Sequence, residues 1–166
     1  PKIGKYKNTV KLAIDWLLSK QQADGSFGYT QAYSVYDNAI ATLALAETVA
    51  MFPDPKIKAA AQKAVDFLAN IKTVHMGMSD QSSVAKSTSV NGWLMMAFKS
   101  SKIAGLNVPQ DVFNKFKKRL DDVTDKNASG YLDTVSYLNP GDRKNSSNTT
   151  MTAVGMLIYE YLGVNR

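Results

Sequence analysis

The sequence predicts an all-α protein built from three helix–loop–helix repeats of about fifty residues. One observation is a spacing: Leu17, Leu68 and Leu120 occupy equivalent positions of three similar amphipathic stretches, 51 and 52 residues apart. A constant spacing of this size indicates one supersecondary unit per repeat. The other is that each amphipathic stretch is followed by a second, almost wholly apolar segment of helical length. The expected repeats are residues 8–52, 56–104 and 109–163.

The first helix of each repeat is predicted to be amphipathic. In the first repeat, Val10, Ile14 and Leu17 recur with the i, i+4, i+7 spacing of a helix that has one buried face. The same period runs through residues 57–71 and 112–123. These three helices are therefore expected to form an outer layer, half exposed to solvent.

The second helix of each repeat differs because it is apolar on almost all sides. The segments are residues 35–52, 88–104 and 149–162. A helix without a polar face is buried on most sides, so these three are expected to form an inner layer.

Helix ends are marked by capping residues. Asp54 followed by Pro55 predicts an N-cap and a first helical residue, and Pro109 opens the third repeat in a similar way. Gly105 and Gly163 stand where a helix end favours a left-handed residue.

The composition is that of one globular domain over residues 1–166, with 45 % apolar residues. No apolar stretch approaches the length of a membrane-spanning helix, and no membrane span is expected. The net charge is +6, but the basic residues are scattered. Their one cluster, residues 115–119, is predicted to be a solvated helix face, so nucleic-acid binding is not expected.

One segment carries a recognisable motif. Residues 16–28 contain an aromatic residue followed by Leu, then Gln, then Gly-x-aromatic, and these features resemble the QW motif of squalene and hopene cyclases. The motif residues are Trp16, Gln21, Gly25 and Phe27, with Phe27 in place of the usual final Trp. The resemblance implies a structural role in which Gln21 bonds backbone groups of the next helix and stacks on Phe27.

The resemblance extends over nearly the whole chain. Residues 35–47, 88–93 and 151–155 are similar to bacterial prenyltransferase/squalene-oxidase repeat proteins, within the superfamily of terpenoid cyclases and protein prenyltransferases. It implies an α/α toroid, of which three helix pairs make about half of a six-pair barrel. Half a ring exposes an apolar inner face. The chain, which begins at Pro1, is therefore expected to be part of a longer toroid or to form a homo-oligomer.

The catalytic groups of these relatives are missing. There is no Asp-x-Asp-Asp motif, since the adjacent pair Asp121 and Asp122 lies on an amphipathic helix and is predicted to be a surface pair. There is no cysteine, and His75 is the single histidine, so the zinc set of the prenyltransferases cannot form. No catalytic residue, metal or cofactor is expected.

Two functions follow from this comparison. The first is a non-catalytic binding or scaffold module with a terpenoid cyclase/prenyltransferase-like fold. The alternative is an enzyme, of terpenoid-cyclase or prenyltransferase type or active on polysaccharides through Asp37, Glu47 or Asp133. In the alternative, a part of the chain outside this sequence would supply further catalytic residues.

Candidate ligand contacts lie at the starts of the inner helices, where free N–H groups attract polar or anionic ligands. The loop over residues 127–148 is either functional or mobile. Ser, Thr, Asp and Asn at these positions also serve as helix caps, and Trp93 as a core residue, so both interpretations stay open. The candidates are Tyr36, Asp37, Asn38, Thr88, Asn91, Trp93, Thr149 and Thr150.

Overall fold

A computed structural model describes residues 4–28, 34–71, 87–125, 130–131 and 149–163. Within these residues the protein has six α-helices and one antiparallel pairing of two short strands, so the all-α class is confirmed. All six predicted helices are present. They are α1 (Lys7–Lys20), α2 (Ser34–Met51), α3 (Pro55–Asn70), α4 (Thr88–Ile103), α5 (Gln110–Val123) and α6 (Thr149–Leu162), and the strands are β1 (Thr124–Asp125) and β2 (Gly130–Tyr131).

The helix ends follow the capping residues of the sequence. The carboxylate of Asp54 accepts hydrogen bonds from the backbone N–H groups of Lys56 and Ile57 at the start of α3. Gly105 and Gly163 adopt φ angles of 73° and 69° after α4 and α6. Helix α5 begins one residue after Pro109, which occupies the N-cap position without a side-chain hydrogen bond.

The chain divides into two compact units. The first compact unit contains residues 1–71 and 97–108, and the second contains residues 72–96 and 109–166. Helix α4 contributes its N-terminal half to the second unit and its C-terminal half to the first.

The core of the first compact unit forms where α2 packs against α3. Leu45 of α2 and Val65 and Leu68 of α3 are fully buried. Each such side chain contributes roughly 1.5–3 kcal/mol on leaving water. Helix α1 joins this core through the buried side chain of Ile14.

The core of the second compact unit forms between α5 and α6. Phe116 and Leu120 of α5 are buried together with Ile158 of α6. Arg119 is buried as well, so the prediction of a solvated face for the basic residues of 115–119 is wrong at this position. The reason is periodicity, since Arg119 lies three residues after Phe116 and shares its helix face.

Helix α6 is less buried than the sequence predicts. Of its residues, Gly155 and Ile158 are buried, whereas Met156 and Leu157 keep 60 % and 37 % of their surface exposed. Its described neighbours include α5, β2 and, at Gly92, α4. The prediction of an inner helix buried on most sides is therefore wrong for the third repeat.

Helices α4 and α6 approach closely at Gly92, where a Cβ atom would lie 2.7 Å from Cγ1 of Val154. We expect Gly92→Ala to lower the free energy of unfolding by about 1–3 kcal/mol, because the added methyl overpacks this contact. Urea denaturation measures the loss.

Val154→Ala provides the internal control because it removes the atom that the new methyl would meet. In the double variant, the Gly92→Ala substitution should cost at least about 0.5 kcal/mol less than it does alone. Strictly additive losses would show that this contact does not limit the size of residue 92.

Candidate ligand-binding groove

A tight turn follows α1. Gln21 and Phe27 pair as an isolated antiparallel bridge. Inside it, the N–H of Gln22 donates to the carbonyl of Ser26 at 2.8 Å, and the N–H of Gly25 donates to the carbonyl of Gln22 at 3.0 Å. Gly25 has a φ angle of 92°, a conformation that side chains disfavour. Of the predicted motif residues, Gln21, Gly25 and Phe27 therefore form a closed backbone turn, and Trp16 lies in α1.

Asp24 stabilises the turn from its solvent side. Its carboxylate accepts hydrogen bonds from the Ser26 hydroxyl at 2.7 Å and from the Ser26 N–H at 3.0 Å. These bonds, the hydroxyl first, lower the pKa of Asp24 below its ordinary value. Because the folded-state pKa is lowered, this contribution to stability is present above the ordinary carboxyl pKa and is lost as the pH falls through the lowered value.

The turn is attached to α3 by Gln21 and Gly25. The side-chain amide of Gln21 donates to the carbonyl of Ala60 at 2.8 Å and to that of Gly25 at 3.1 Å. A Cβ atom on Gly25 would lie 2.2 Å from the carbonyl oxygen of Lys63, so the turn backbone rests directly on the helix. These contacts join the turn after α1 to α3.

The turn is attached to α2 by Asn38. The N–H of Phe27 donates to Oδ1 of Asn38 at 2.7 Å, and Nδ2 of Asn38 donates to the carbonyl of Phe27 at 2.9 Å. Asn38 is only 1 % exposed. Its amide thus completes the hydrogen bonding of a buried backbone segment, which is a structural role, and ligand contact at Asn38 stays a prediction.

The other candidate contacts differ in accessibility. Tyr36 and Asp37, in the first compact unit, are exposed. In the second, Thr88 and Asn91 are buried and Trp93 is half-buried, while Nδ2 of Asn91 donates to the carbonyl of Ser87 at 2.8 Å. Ligand contact at Thr88 and Asn91 stays a prediction. Thr149 and Thr150 are exposed at the start of α6.

A groove of about 580 Å³ runs between α1 and α2 beside the turn. We call it the α1–α2 groove. Its floor is apolar, with Leu17, Ile40 and Ala44 among its residues, and its edges carry Trp16, Lys20 and Asp37. The full lining is Trp16, Leu17, Lys20, Gln22, Phe27, Gly28, Asp37, Ile40, Ala41 and Ala44.

The edge of the groove combines an aromatic ring with both signs of charge. Trp16 is 59 % exposed, and the Lys20 ammonium lies 6.0 Å from the centre of its ring, which is a cation–π distance. Within the described part of the chain, neither Lys20 nor Asp37 forms an ion pair. The sequence analysis singled out Trp16, Phe27 and Asp37 but missed Lys20. The feature that could have indicated Lys20 is its position four residues after Trp16, which makes the two side chains neighbours on a helix.

A second groove, of about 450 Å³, borders α1 on the side of α3. Of its five charged side chains, three have partners, because Lys11 pairs with Asp15 at 2.6 Å and Asp54 caps α3. It contains none of the predicted site residues. The α1–α2 groove is therefore the better candidate for a ligand.

Of the three carboxylates suggested for an enzyme, the two that the structure describes do not come together. Asp37 and Glu47 lie ten residues apart on α2, which is about 15 Å along a helix axis, whereas paired catalytic carboxylates lie about 5–10 Å apart. Glu47 also accepts a hydrogen bond from the Ser100 hydroxyl. Asp133 and His75 lie outside the described residues.

Among the described residues, no group of three or more His, Cys, Asp or Glu side chains could hold a metal ion. No helix within them has the length and apolar character needed to cross a membrane. Asp121 and Asp122 are both exposed on α5, as expected of a surface pair.

Comparison with known proteins found no matching family model, no matching curated protein and no matching solved structure.

Proposed function

We propose that this chain is a non-catalytic binding module on a scaffold of α/α-toroid-type helix hairpins. The α1–α2 groove is its binding site, and its ligand has an apolar body and a charged end. The observation that carries the proposal is the groove itself, in which an apolar floor meets an exposed Trp16 and the charges of Lys20 and Asp37.

The scaffold part of the proposal is supported by how the motif residues are used. Gln21 and Gly25 hold the turn on α3, and Asn38 holds it on α2. The side-chain amides of Gln21 and Asn38 both bond backbone groups of other segments, as expected of residues with a structural role. The resemblance to toroid repeat proteins implies the same role for Gln21. Assembly into a longer toroid or a homo-oligomer stays a prediction, which light scattering tests.

The binding part is supported by the size and chemistry of the groove. A volume of about 580 Å³ lies within the roughly 300–1,000 Å³ typical of small-molecule sites. The apolar floor favours burial of a hydrocarbon or ring body. Lys20 and Asp37 at the edge orient the polar end, and Trp16 offers a flat surface on which rings stack.

The experiment uses anilinonaphthalene sulfonate, whose rings suit the floor and whose sulfonate suits Lys20. We expect saturable binding, measured by probe fluorescence. Ala44→Phe, which fills the groove without removing any group, should weaken binding at least about tenfold, a change of about 1.4 kcal/mol. Fluorescence of Trp16 in a Trp93→Phe background, where it is the only tryptophan, reports the same event.

The matched control is Ala50→Phe, an exposed position of the same helix outside the groove. It should bind the probe like the unmodified chain. Equal weakening by both substitutions, or unchanged binding in Ala44→Phe, would refute the groove as the binding site. Circular dichroism of each variant separates lost binding from lost folding.

A further inference from the structure

The outward side of α1 carries two large apolar side chains that the fold leaves exposed, Leu12 and Trp16, among polar residues. The row consists of Lys5, Thr9, Leu12, Trp16 and Lys20, at intervals of four, three, four and four residues. The last four lie in one line along α1, and Lys5 lies in the turn that precedes the helix. All five are exposed, with Leu12 at 69 %. We call this line the outer stripe. It lies opposite the face that buries Ile14.

Positive charge and aromatic rings accompany the stripe at both ends. The Lys5 ammonium lies 5.4 Å from the centre of the Tyr6 ring, and the Lys20 ammonium lies 6.0 Å from that of Trp16. Residues 5–20 contain four lysines and one aspartate. That aspartate, Asp15, is paired with Lys11. The charges of Lys5 and Lys20 are therefore uncompensated within the described residues.

These properties restrict the kind of partner. Two copies meeting through this stripe would bring equal positive charges together, which opposes self-association. A nucleic acid would use the lysines and the rings but would leave Leu12 without a role. An anionic bilayer surface uses all of them, since lipid headgroups attract lysine, the interface accommodates Trp and Tyr, and the acyl boundary accepts Leu.

We propose that the outer stripe docks α1 flat on an anionic membrane surface. Helix α1 has 14 residues and is therefore about 21 Å long. It would lie in the interface plane, with Leu12 and Trp16 inserted and Lys5 and Lys20 at headgroup level. The compact unit that it belongs to stays in water. This surface goes beyond the proposed groove, although Trp16 stands at the edge of both.

The test is co-sedimentation of the whole chain with phosphatidylcholine vesicles, with and without an equal part of phosphatidylserine. We expect binding only to the anionic vesicles, weakening with added salt. Fluorescence of Trp16 in the Trp93→Phe background should shift to the blue on binding. Lys5→Glu/Lys20→Glu should weaken vesicle binding at least about tenfold, and Leu12→Asp should do the same.

Matched variants carry equal changes elsewhere. Ile103→Asp alters a residue that is 72 % exposed on α4, and Lys58→Glu/Lys118→Glu reverses two exposed lysines. Both should bind anionic vesicles like the unmodified chain. Equal losses in these controls, or equal binding to neutral vesicles, would overturn the proposal. So would a fluorescence shift of Trp16 that occurs only on dimerisation or on adding an acidic protein. Ala44→Phe should leave vesicle binding unchanged, so the groove and the stripe can fail separately.

Discussion

Gly25→Ala is expected to lower the free energy of unfolding by at least about 3 kcal/mol. Two costs act at this position. The φ angle of 92° disfavours any side chain, and the new Cβ atom would lie 2.2 Å from the carbonyl oxygen of Lys63. That oxygen belongs to the α3 backbone, so only a shift of the turn or the helix relieves the clash. Urea denaturation followed by circular dichroism measures the loss.

Gly28→Ala separates the two costs. Its φ angle of 82° is similar, but a Cβ atom there meets nothing within 4 Å. It should therefore show only the conformational cost, about 1–2 kcal/mol. The difference between the two variants measures the close approach of the turn to α3. Equal losses at Gly25 and Gly28 would mean that the turn is not held against the helix as described.

Asn38→Asp is expected to cost at least about 3 kcal/mol at neutral pH. One carboxylate oxygen can still accept the hydrogen bond from the N–H of Phe27. The other replaces Nδ2 and faces the Phe27 carbonyl, so an acceptor meets an acceptor where a 2.9 Å hydrogen bond stood. The site is buried, which makes the unpaired charge more costly than it would be in water.

The loss should depend on pH in a defined direction. Protonation gives the introduced carboxyl an O–H donor for the Phe27 carbonyl, so its pKa in the folded protein should be raised above the value of about 3.9 in the unfolded chain. The loss in free energy of unfolding relative to the unmodified chain is then smallest below the pKa of the unfolded chain. It grows as the pH rises through the raised pKa of the folded protein.

Asn114→Asp is the matched control because Asn114 is exposed on α5. It should change the free energy of unfolding by less than about 0.5 kcal/mol at any pH. Denaturation curves of both variants across the acid range give the comparison. A deficit in Asn38→Asp that is small at neutral pH, or that does not shrink in acid, would contradict the paired amide contact with Phe27.

The helices were predictable because their signals are local. The spacing of Val10, Ile14 and Leu17 requires only a helical period, and the cap at Asp54 requires only its next neighbours. Such patterns are set over a few turns of chain. The degree of burial was not predictable for α6, because an apolar helix has the same composition whether or not another element covers it.

The candidate site was predictable only in part. The motif residues Gln21, Gly25 and Phe27 could be selected by their order in the chain, yet their partners Ala60 and Lys63 lie some forty residues away and carry no motif. The sequence did not decide the role of Asn38, because capping, ligand contact and backbone bonding call for the same kind of side chain. Lys20 was missed because a lysine four residues after an aromatic residue indicates a binding site only when both side chains border a groove.

The sequence by itself determined the all-α class, the six helices and their order, since each follows from a period or a cap readable over a few residues. The tertiary structure alone decided which polar groups are buried inside the protein and which face solvent. It buried Asn38, Thr88 and Asn91 and left Leu12, Trp16 and Lys20 exposed. The physical reason is that exposure depends on which distant segment packs over a side chain, and a local pattern contains no information about that segment.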